Sequence, residues 1–357
     1  MPDHDKYMRR CVELAQLSKG MVAPNPMVGA VLVHKGRVIG EGWHKEYGQA
    51  HAEVNCIESV AEEDKRLIPE STMYVNLEPC AHHGKTPPCA DRLVKEQVKE
   101  VIVCNVDPFE KVEGRGMQIL KDNNIATQTG ILEQEGAWMN RRFFCFHQQK
   151  RPYIILKWAQ TSSGLFAPLN RTRFQISNEH SKQLLHKWRT EEASIMVGYN
   201  TALNDDPQLT SRLWPGRQPL RIVLDKDLKL PRSLRVFNDD ATTWIINEQK
   251  EANGEHVQYV QFDFGSSLLN KLMDKLHEQN KLSLIIEGGA HLLNSFIEQG
   301  LWDEARIFVA DAELNEGIPA PVLKDANNAF ETESGTDKLF FYTNNNSAYP
   351  YVAGMDL

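Results

Sequence analysis

Hydrophobic and polar positions recur along the first half of this chain with two periods, which predict alternating helices and strands. In residues 7–19 the apolar side chains of Met8, Cys11 and Ala15 fall on one helical face. Strand-like stretches flank Lys35-Gly36 and predict a hairpin. Strands are expected at 27–33, 37–42, 72–77, 100–106 and 125–129, and helices at 52–61, 90–97, 117–122 and in a segment ending near 138. This half is therefore predicted to be a mixed sheet with helices on its faces.

A polar stretch at residues 148–152 precedes a new apolar strand and marks a boundary between two domains, 1–147 and 151–357. In the second half strands are expected at 153–158, 194–197, 220–225, 242–246, 257–262, 283–287 and 306–310, and helices at 180–190, 268–279 and 291–298. This alternation predicts a largely parallel α/β sheet, with a site outside the carboxyl ends of its strands. The polar tail beyond residue 319 has no assigned element.

Length and charge narrow the class of protein. The 357 residues favour two domains, and 41% hydrophobic with 25% charged residues is typical of a soluble globular chain. Forty basic against 48 acidic residues leave a net charge of −8, which argues against bulk nucleic-acid binding but allows a local basic pocket. No apolar run is long enough for a signal peptide or a membrane span, so we expect a cytoplasmic protein without membrane attachment.

Cysteine spacing introduces the first candidate chemistry. In a reducing compartment, a disulfide framework is improbable for a chain of this size, so clustered cysteines indicate metal. His51 opens a predicted helix, Cys80 follows a strand, and Cys89 begins another helix. These three side chains supply the number and type of ligands that catalytic zinc takes, with a fourth position left for water. Cys11, Cys56 and Cys104 lie in apolar patterns and are interpreted as core residues.

Glu53, two residues after the candidate ligand His51, is predicted to be the catalytic residue. Beside the metal it would take a proton from the attacking water and deliver it to the leaving ammonia. The order of residues follows the H-x-E…P-C-x-x-C pattern of zinc nucleobase deaminases, except that eight residues separate Cys80 from Cys89. Residues 1–145 are therefore predicted to deaminate a nucleobase-like ring.

Two alternatives belong to other functional classes. The first is a nucleic-acid-editing deaminase fused to an α/β domain, which the net charge and the absence of basic runs disfavour. The second is a binding module with structural zinc, which a set of three rather than four ligands disfavours.

Several motifs of the first half point to one family: Pro24-Asn25-Pro26-Met27-Val28-Gly29, His51-Ala52-Glu53-Val54, the segment from Leu77 to Cys89, and Asp107-Pro108. They resemble the bifunctional deaminase/reductases of riboflavin biosynthesis. The long loop between the two cysteines is itself a feature of that family. In the second half, Asp205-Asp206-Pro207-Gln208-Leu209-Thr210-Ser211-Arg212 and Glu287-Gly288-Gly289 resemble segments of the family's reductase.

The resemblance implies a cytidine-deaminase-like domain followed by a dihydrofolate-reductase-like domain. Their implied reactions are hydrolytic deamination of 2,5-diamino-6-ribosylamino-pyrimidinone 5′-phosphate and NADPH-dependent reduction of its ribosyl chain to ribityl. Zinc and NADPH are the implied cofactors, the partner is a small pyrimidine ribotide, and we expect a homo-oligomer.

The resemblance also assigns residues to binding sites. Asn25 and the loop at residues 82–85, including Lys85, are expected to line the deaminase pocket. Cofactor contacts are assigned to Thr201, Asp205, Gly289, Ala290, His291, Leu292, Leu293, Asn294 and Ser295. Substrate contacts in the reductase are assigned to Lys157, Arg189, Leu209, Arg212 and Glu287. The chain departs from the family pattern at Thr161-Ser162-Ser163-Gly164 and at Arg173, where serine is frequent.

Overall fold

The computed structural model describes residues 3–81, 87–109, 113–170 and 174–355. Its contacts divide the chain into two compact units. The first runs to Gln149 and includes the segment from Tyr351 onward, and the second is Lys150–Pro350. The sequence-based boundaries put residues 351–355 in the second domain, but these residues contact the first unit. Trp138 explains this, because its indole N–H donates to Met355 O at 3.0 Å.

The first unit contains a five-stranded sheet of order β2-β1-β3-β4-β5. Its strands are β1 Gly29–His34, β2 Arg37–Trp43, β3 Thr72–Leu77, β4 Glu100–Asn105 and β5 Ala126–Thr129. β1 pairs antiparallel with β2 and β3, while β3, β4 and β5 are parallel. The predicted mixed sheet is confirmed, including the hairpin at Lys35-Gly36.

Helices cover both faces of this sheet. They are α1 His4–Gln16, α2 Ala52–Glu58, α3 Cys89–Lys95, α4 Arg115–Asp122, α5 Glu133–Met139 and α6 Arg141–Gln148, with a 3₁₀ helix at Glu62–Glu70. α1 begins before the predicted residue 7, because Asp3 caps it by accepting from Lys6 N. Along β1, Ala30 and Leu32 enter one apolar cluster and Val31 enters the opposite one. The strand is therefore buried on both faces.

The second unit contains a sheet of order β11-β12-β10-β9-β8-β13-β6-β14-β17-β16. Its strands are β6 Tyr153–Thr161, β8 Ser194–Val197, β9 Leu220–Leu224, β10 Thr243–Asn247, β11 Ala252–Asn253, β12 Val257–Gln261, β13 Ser283–Ile286, β14 Glu304–Ala310, β16 Ala326–Ser334 and β17 Asp337–Asn344. The strands from β12 to β14 are parallel, as predicted. A separate pair joins β7 Leu165–Pro168 to β15 Gly317–Pro319.

The helices of this unit are α7 Glu179–Glu191, α8 Tyr199–Asp205, α9 Leu268–Glu278 and α10 Ala290–Glu298, with a 3₁₀ turn at Arg235–Phe237. β8 and β13 are neighbours in the sheet, and α8 and α10 follow them, so the loops after both strands meet at one sheet edge. Among the described residues, no helix combines the length and apolar character that a membrane span requires.

Candidate active sites

The three candidate zinc ligands meet at the ends of regular elements in the first unit. His51 is the extended N-cap residue of α2, Cys80 lies three residues after β3, and Cys89 opens α3. His51 Nδ1 is 3.5 Å from Cys80 Sγ and 3.3 Å from Cys89 Sγ. Tetrahedral zinc with ordinary Zn–S and Zn–N bonds requires about 3.5 Å between these atoms. The donor set therefore fits zinc.

Local hydrogen bonds favour the thiolate form that binds metal. The Cys89 side chain, then His51, and the Cys89 N–H at 3.3 Å lower the pKa of Cys80 to about 4, although burial opposes them. The hydrogen bond with Cys80, then burial, raises the pKa of the Cys89 thiol. Of the two cysteines, Cys80 therefore favours the thiolate form without metal, and a bound cation would favour deprotonation of Cys89 as well.

Glu53 lies in the first turn of α2 with only 3% of its surface exposed. Burial, followed by the nearby charge of Cys80, raises its pKa to about 7, while His51 opposes this shift. Among the described residues, the metal-ligand cluster contains His51, Cys80 and Cys89 and not Glu53. The carboxyl is thus placed beside the ligands as a group that can exchange a proton near neutral pH.

Asn25 is connected to the candidate zinc ligand His51 through His44, a residue that was not predicted from the sequence. Asn25 Nδ2 is 3.1 Å from His44 Nε2, and His44 Nδ1 is 3.1 Å from Ala50 O. The His44 ring stacks edge-on against His51, with centroids 5.2 Å apart. Burial lowers the pKa of His44, so its ring is neutral and fixes the orientation of the Asn25 amide. A polar residue two positions after predicted strand 37–42 is the signal that could have identified it.

Glu78 supports the segment that carries Cys80. Its buried carboxylate accepts from four backbone N–H groups, those of Asp107, Gly114, Gly116 and Met117, at 2.9–3.3 Å. These bonds hold the start of α4 against the Pro79-Cys80 segment. A side chain at position 116 would prevent this close contact, because its Cβ would clash with Pro79 O. Glu78 stands out in the sequence only as part of a motif, because its four partners lie about 30 to 40 residues further along the chain.

The second unit encloses a cavity of about 530 Å³. Its predicted substrate residues all line this cavity: Lys157, Arg189, Leu209, Arg212 and Glu287. Of the predicted cofactor residues, Thr201, Asp205, Gly289, Ala290 and His291 line it as well. Leu292 and Leu293 instead pack into the apolar core, and Asn294 and Ser295 lie half-buried further along α10.

Arg189 and Glu287 form a buried bidentate ion pair inside the cavity. Arg189 Nε and Nη2 donate to the two carboxylate oxygens at 2.8 and 2.6 Å. Burial alone would raise the pKa of Glu287, but Arg189 lowers it below its ordinary value. Burial lowers the pKa of the nearby Lys157 ammonium, and Glu287 opposes that shift. The Arg189 guanidinium is therefore paired with Glu287. The sequence did not reveal this ion pair.

The glycines after β13 allow a close approach to α8. Gly288 and Gly289 have φ of 139° and 77°, a backbone region that side chains other than glycine rarely adopt. A Cβ at Gly289 would lie 3.1 Å from Thr201 Oγ1. The open backbone at the start of the nine-residue helix α10 is the kind of cradle that a pyrophosphate fits. Lys85, with its loop at 82–85, and Arg173 lie outside the described residues.

Comparison with known proteins assigns both units to one family. Residues 1–105 match the cytidine and deoxycytidylate deaminase zinc-binding region, and residues 152–313 match the RibD C-terminal domain. The riboflavin biosynthesis protein RibD of Aquifex aeolicus is 38% identical over 318 residues, covering 87% of this chain and 88% of that protein. The chain belongs to the RibD family.

Solved structures of the RibD family agree with this assignment. A diaminohydroxyphosphoribosylaminopyrimidine deaminase/5-amino-6-(5-phosphoribosylamino)uracil reductase of Thermotoga maritima matches with a TM-score of 0.87 and 31% identity, covering 96% of this chain and 98% of that one. Acinetobacter baumannii RibD matches with a TM-score of 0.86 and 30% identity, covering 95% and 98%. The expected fold class is confirmed in both halves.

Family membership decides between the functional classes. The protein is a bifunctional enzyme of riboflavin biosynthesis, with a zinc-binding deaminase domain and a reductase domain. It acts on a small molecule. This supports the biosynthetic enzyme over the nucleic-acid-editing deaminase and over the binding module with structural zinc.

Proposed function

We propose that the first unit deaminates 2,5-diamino-6-ribosylamino-pyrimidinone 5′-phosphate and that the second reduces the ribosyl chain of the product with NADPH. The observation that carries the first step is the His51, Cys80 and Cys89 cluster with a buried carboxyl beside it. The name of the Thermotoga maritima relative, which matches over both units, describes the same two activities.

In the deaminase site His51, Cys80 and Cys89 would hold the zinc. Zinc bound by three protein ligands lowers the pKa of a coordinated water to about 7. Glu53 accepts a proton from the attacking water and returns it to the departing amino group, which leaves as ammonia. Asn25, oriented by His44, presents its amide to the pyrimidine edge.

Recognition of the ribotide phosphate in the deaminase site is assigned to Lys85, whose role stays a prediction. A flexible ammonium suits a phosphate that must enter and leave in each turnover.

In the reductase site we assign the cofactor to the edge formed by Thr201, Asp205 and the start of α10. The backbone N–H groups that open α10, from Ala290 and His291, would hold the pyrophosphate, and the glycine at 289 leaves room for it. The reduced nicotinamide supplies a hydride for the open-chain ribosyl carbon when it is bound. Leu292 would contribute only its backbone, since its side chain is in the core, and the N–H of Leu293 already donates to Gly289 O at 3.1 Å. The contacts assigned to Leu293, Asn294 and Ser295 stay predictions.

The ribotide occupies the remainder of the same cavity. Arg212 binds the phosphate, Leu209 lines the pocket, and Lys157 donates to the ribose oxygens. Glu287 holds a negative charge beside the reacting carbon, and Arg189 keeps that carboxylate ionised and in place.

One two-part assay tests the proposal. Purified protein supplied with the diaminopyrimidinone ribotide releases ammonia without NADPH, and NADPH absorbance then falls only after deamination. An RNA stem-loop in place of the ribotide serves as the control and releases none. If neither ammonia release nor NADPH oxidation follows addition of the ribotide, the assigned substrate is wrong.

We further propose that the deaminase works without the second unit. A fragment of residues 1–147 contains His51, Glu53, Cys80 and Cys89 and should bind zinc and release ammonia. A folded, zinc-loaded but inactive fragment would show that the units depend on each other. The homo-oligomeric state and the cytoplasmic location stay predictions, which light scattering and cell fractionation measure.

A further inference from the structure

A short segment of the reductase unit, residues 210–212, is attached to helix α7 by three hydrogen bonds. Arg189 Nη1 donates to Thr210 O at 3.0 Å. The Ser211 hydroxyl shares its proton between His186 O at 3.1 Å and Trp214 O at 2.8 Å. The Arg212 backbone N–H donates to His186 Nδ1 at 2.9 Å. We call residues 210–212 the anion arm, because Arg212 is its terminal residue and lines the cavity.

The conformation of the anion arm needs such external support. Leu209, which precedes it, has a φ of +55° and is buried, and a non-glycine residue holds that backbone region only where its surroundings impose it. Gln218 closes the other side, since its side chain accepts from Ser211 N at 2.7 Å and donates to Ser211 O at 2.9 Å. Within the arm, Arg212 Nη1 donates to Thr210 Oγ1 at 3.0 Å.

His186 is the member of this set whose side chain has no assigned role. It is 98% buried, lines the cavity, and lies one helical turn before Arg189. Burial, then the positive charges of Arg189 and Arg212, lowers its pKa to about 4, against the attraction of Glu287. The ring is therefore neutral, and because Nδ1 accepts a hydrogen bond, its proton is on Nε2. A protonated histidine would have no acceptor for the Arg212 N–H.

We propose that His186 is a positioning residue of the reductase, which holds the anion arm so that Arg212 meets the phosphate of the ribotide. This inference rests on the proposed function, which assigns that phosphate to Arg212. The Arg212 backbone N–H donates to Nδ1 at 2.9 Å, so His186 fixes the backbone position from which the Arg212 side chain reaches the cavity. His186 thus acts on substrate affinity through Arg212 and not on the transfer of hydride.

Substitutions at position 186 can separate this role from simple packing. His186→Leu keeps an apolar side chain but removes the acceptor, whereas His186→Asn places an amide oxygen close to the position of Nδ1. His180, exposed on the same helix and outside the cavity lining, provides the matched control His180→Leu. The full-length protein is assayed with the deaminated ribotide and NADPH.

We expect His186→Leu to raise the KM for the ribotide about tenfold, because the Arg212 backbone N–H loses the acceptor that positions it, with kcat little changed. His186→Asn should recover most of that affinity, and His180→Leu should behave as the wild type. The Kd for NADPH, measured by calorimetry, should stay within about twofold in all three, which also verifies that the unit is folded.

A double-mutant cycle with Arg212→Ala tests whether His186 acts through Arg212. If it does, His186→Leu adds little to the KM of the Arg212→Ala enzyme, because the group being positioned is already gone. Multiplicative effects, or an equal loss in the Leu and Asn variants, would overturn the positioning role. A raised KM in Arg212→Ala with a normal KM in His186→Leu refutes only the His186 inference. A normal KM in Arg212→Ala refutes both it and the assigned phosphate site.

Discussion

The deaminase site and the reductase cavity hold their charged groups in different ways. In the first, His51, Cys80 and Cys89 come from the ends of a strand and two helices, and their donor atoms converge on one point. In the second, Arg189 and Glu287 come from positions 98 residues apart and neutralise each other before any ligand binds. The donor atoms of the first site are therefore arranged to bind a cation. The second site is a polar network that lines a cavity large enough for an organic ligand.

The difference has a consequence for substitutions. A metal site loses its function when one ligand is removed, because the remaining ligands provide too little negative charge and too few donor atoms to hold the ion. A hydrogen-bonded network loses its function in steps, since each residue contributes part of the positioning. The following experiments test this contrast from the largest expected effect to the smallest.

Cys80→Ser should remove zinc from the purified enzyme and abolish ammonia release. The loss should exceed the roughly 10²–10⁴-fold expected for the proton shuttle alone, while NADPH oxidation with deaminated ribotide continues. Cys104→Ser is the control, since its hydroxyl can replace the thiol that donates to Leu132 O. Full zinc occupancy in Cys80→Ser, measured by elemental analysis, would contradict the ligand assignment.

Glu53→Gln should keep zinc and the fold but lower deaminase turnover about 10²–10⁴-fold, because an amide cannot accept and release the proton. Glu58→Gln, exposed at the end of the same helix, should have no effect. Ammonia release under saturating ribotide is the measurement. Near-normal turnover in Glu53→Gln would mean that another group carries the proton.

Glu287→Gln should lower the free energy of unfolding of the reductase unit by about 3–5 kcal/mol, because it leaves the buried Arg189 without its counter-charge. It should also slow reduction more than it weakens ribotide binding, if the carboxylate steadies the polarised ribose. Calorimetry measures the unfolding, and replacement of both partners by apolar residues should cost less than replacement of one. A cost of the double replacement equal to the sum of the two single costs would show that the pair is not coupled.

The same pair gives a direction for the pH dependence of stability. The pKa of Glu287 in the folded protein lies below its ordinary value of 4.5. The stabilisation is therefore complete above that value and is lost as the pH falls through the lowered pKa. The stability difference between wild type and Glu287→Gln should shrink in that acid range.

Ending the chain after Pro350 should have the smallest effect. It removes the hydrogen bond from Trp138 to Met355 and the edge-on contact of Trp138 with Tyr351, whose centroids are 5.5 Å apart. We expect the free energy of unfolding of the first unit to fall by about 1–2 kcal/mol. Ammonia release and NADPH oxidation should continue. An unchanged unfolding transition would show that the terminal segment does not stabilise this unit.

Local pattern predicted the elements whose residues are periodic and apolar. Strands such as β1 and β4 and helices such as α9 were expected close to their observed bounds, since burial on a face produces a regular sequence. α8 was missed because Asn200, Thr201 and Asn204 are weak helix formers. β16 was missed because this strand, at the edge of the sheet, is largely polar, so backbone pairing rather than a hydrophobic face defines it. β17 was missed although Leu339 and Phe341 are buried, because it lies within a tail that was interpreted as polar and irregular.

The sequence alone determined which side chains can carry the chemistry. The candidate zinc ligands and Glu53 could be proposed from the sequence because each lies within three residues of a helix or strand end, where local geometry controls its direction. Only the tertiary structure decided the partners that come from distant parts of the chain. Packing between elements produces four such contacts: His44 with His51, four backbone amides with Glu78, Arg189 with Glu287, and His186 with the Arg212 backbone. Pair contacts of that kind leave no local pattern, because their energy depends on distance in space and not on spacing along the chain.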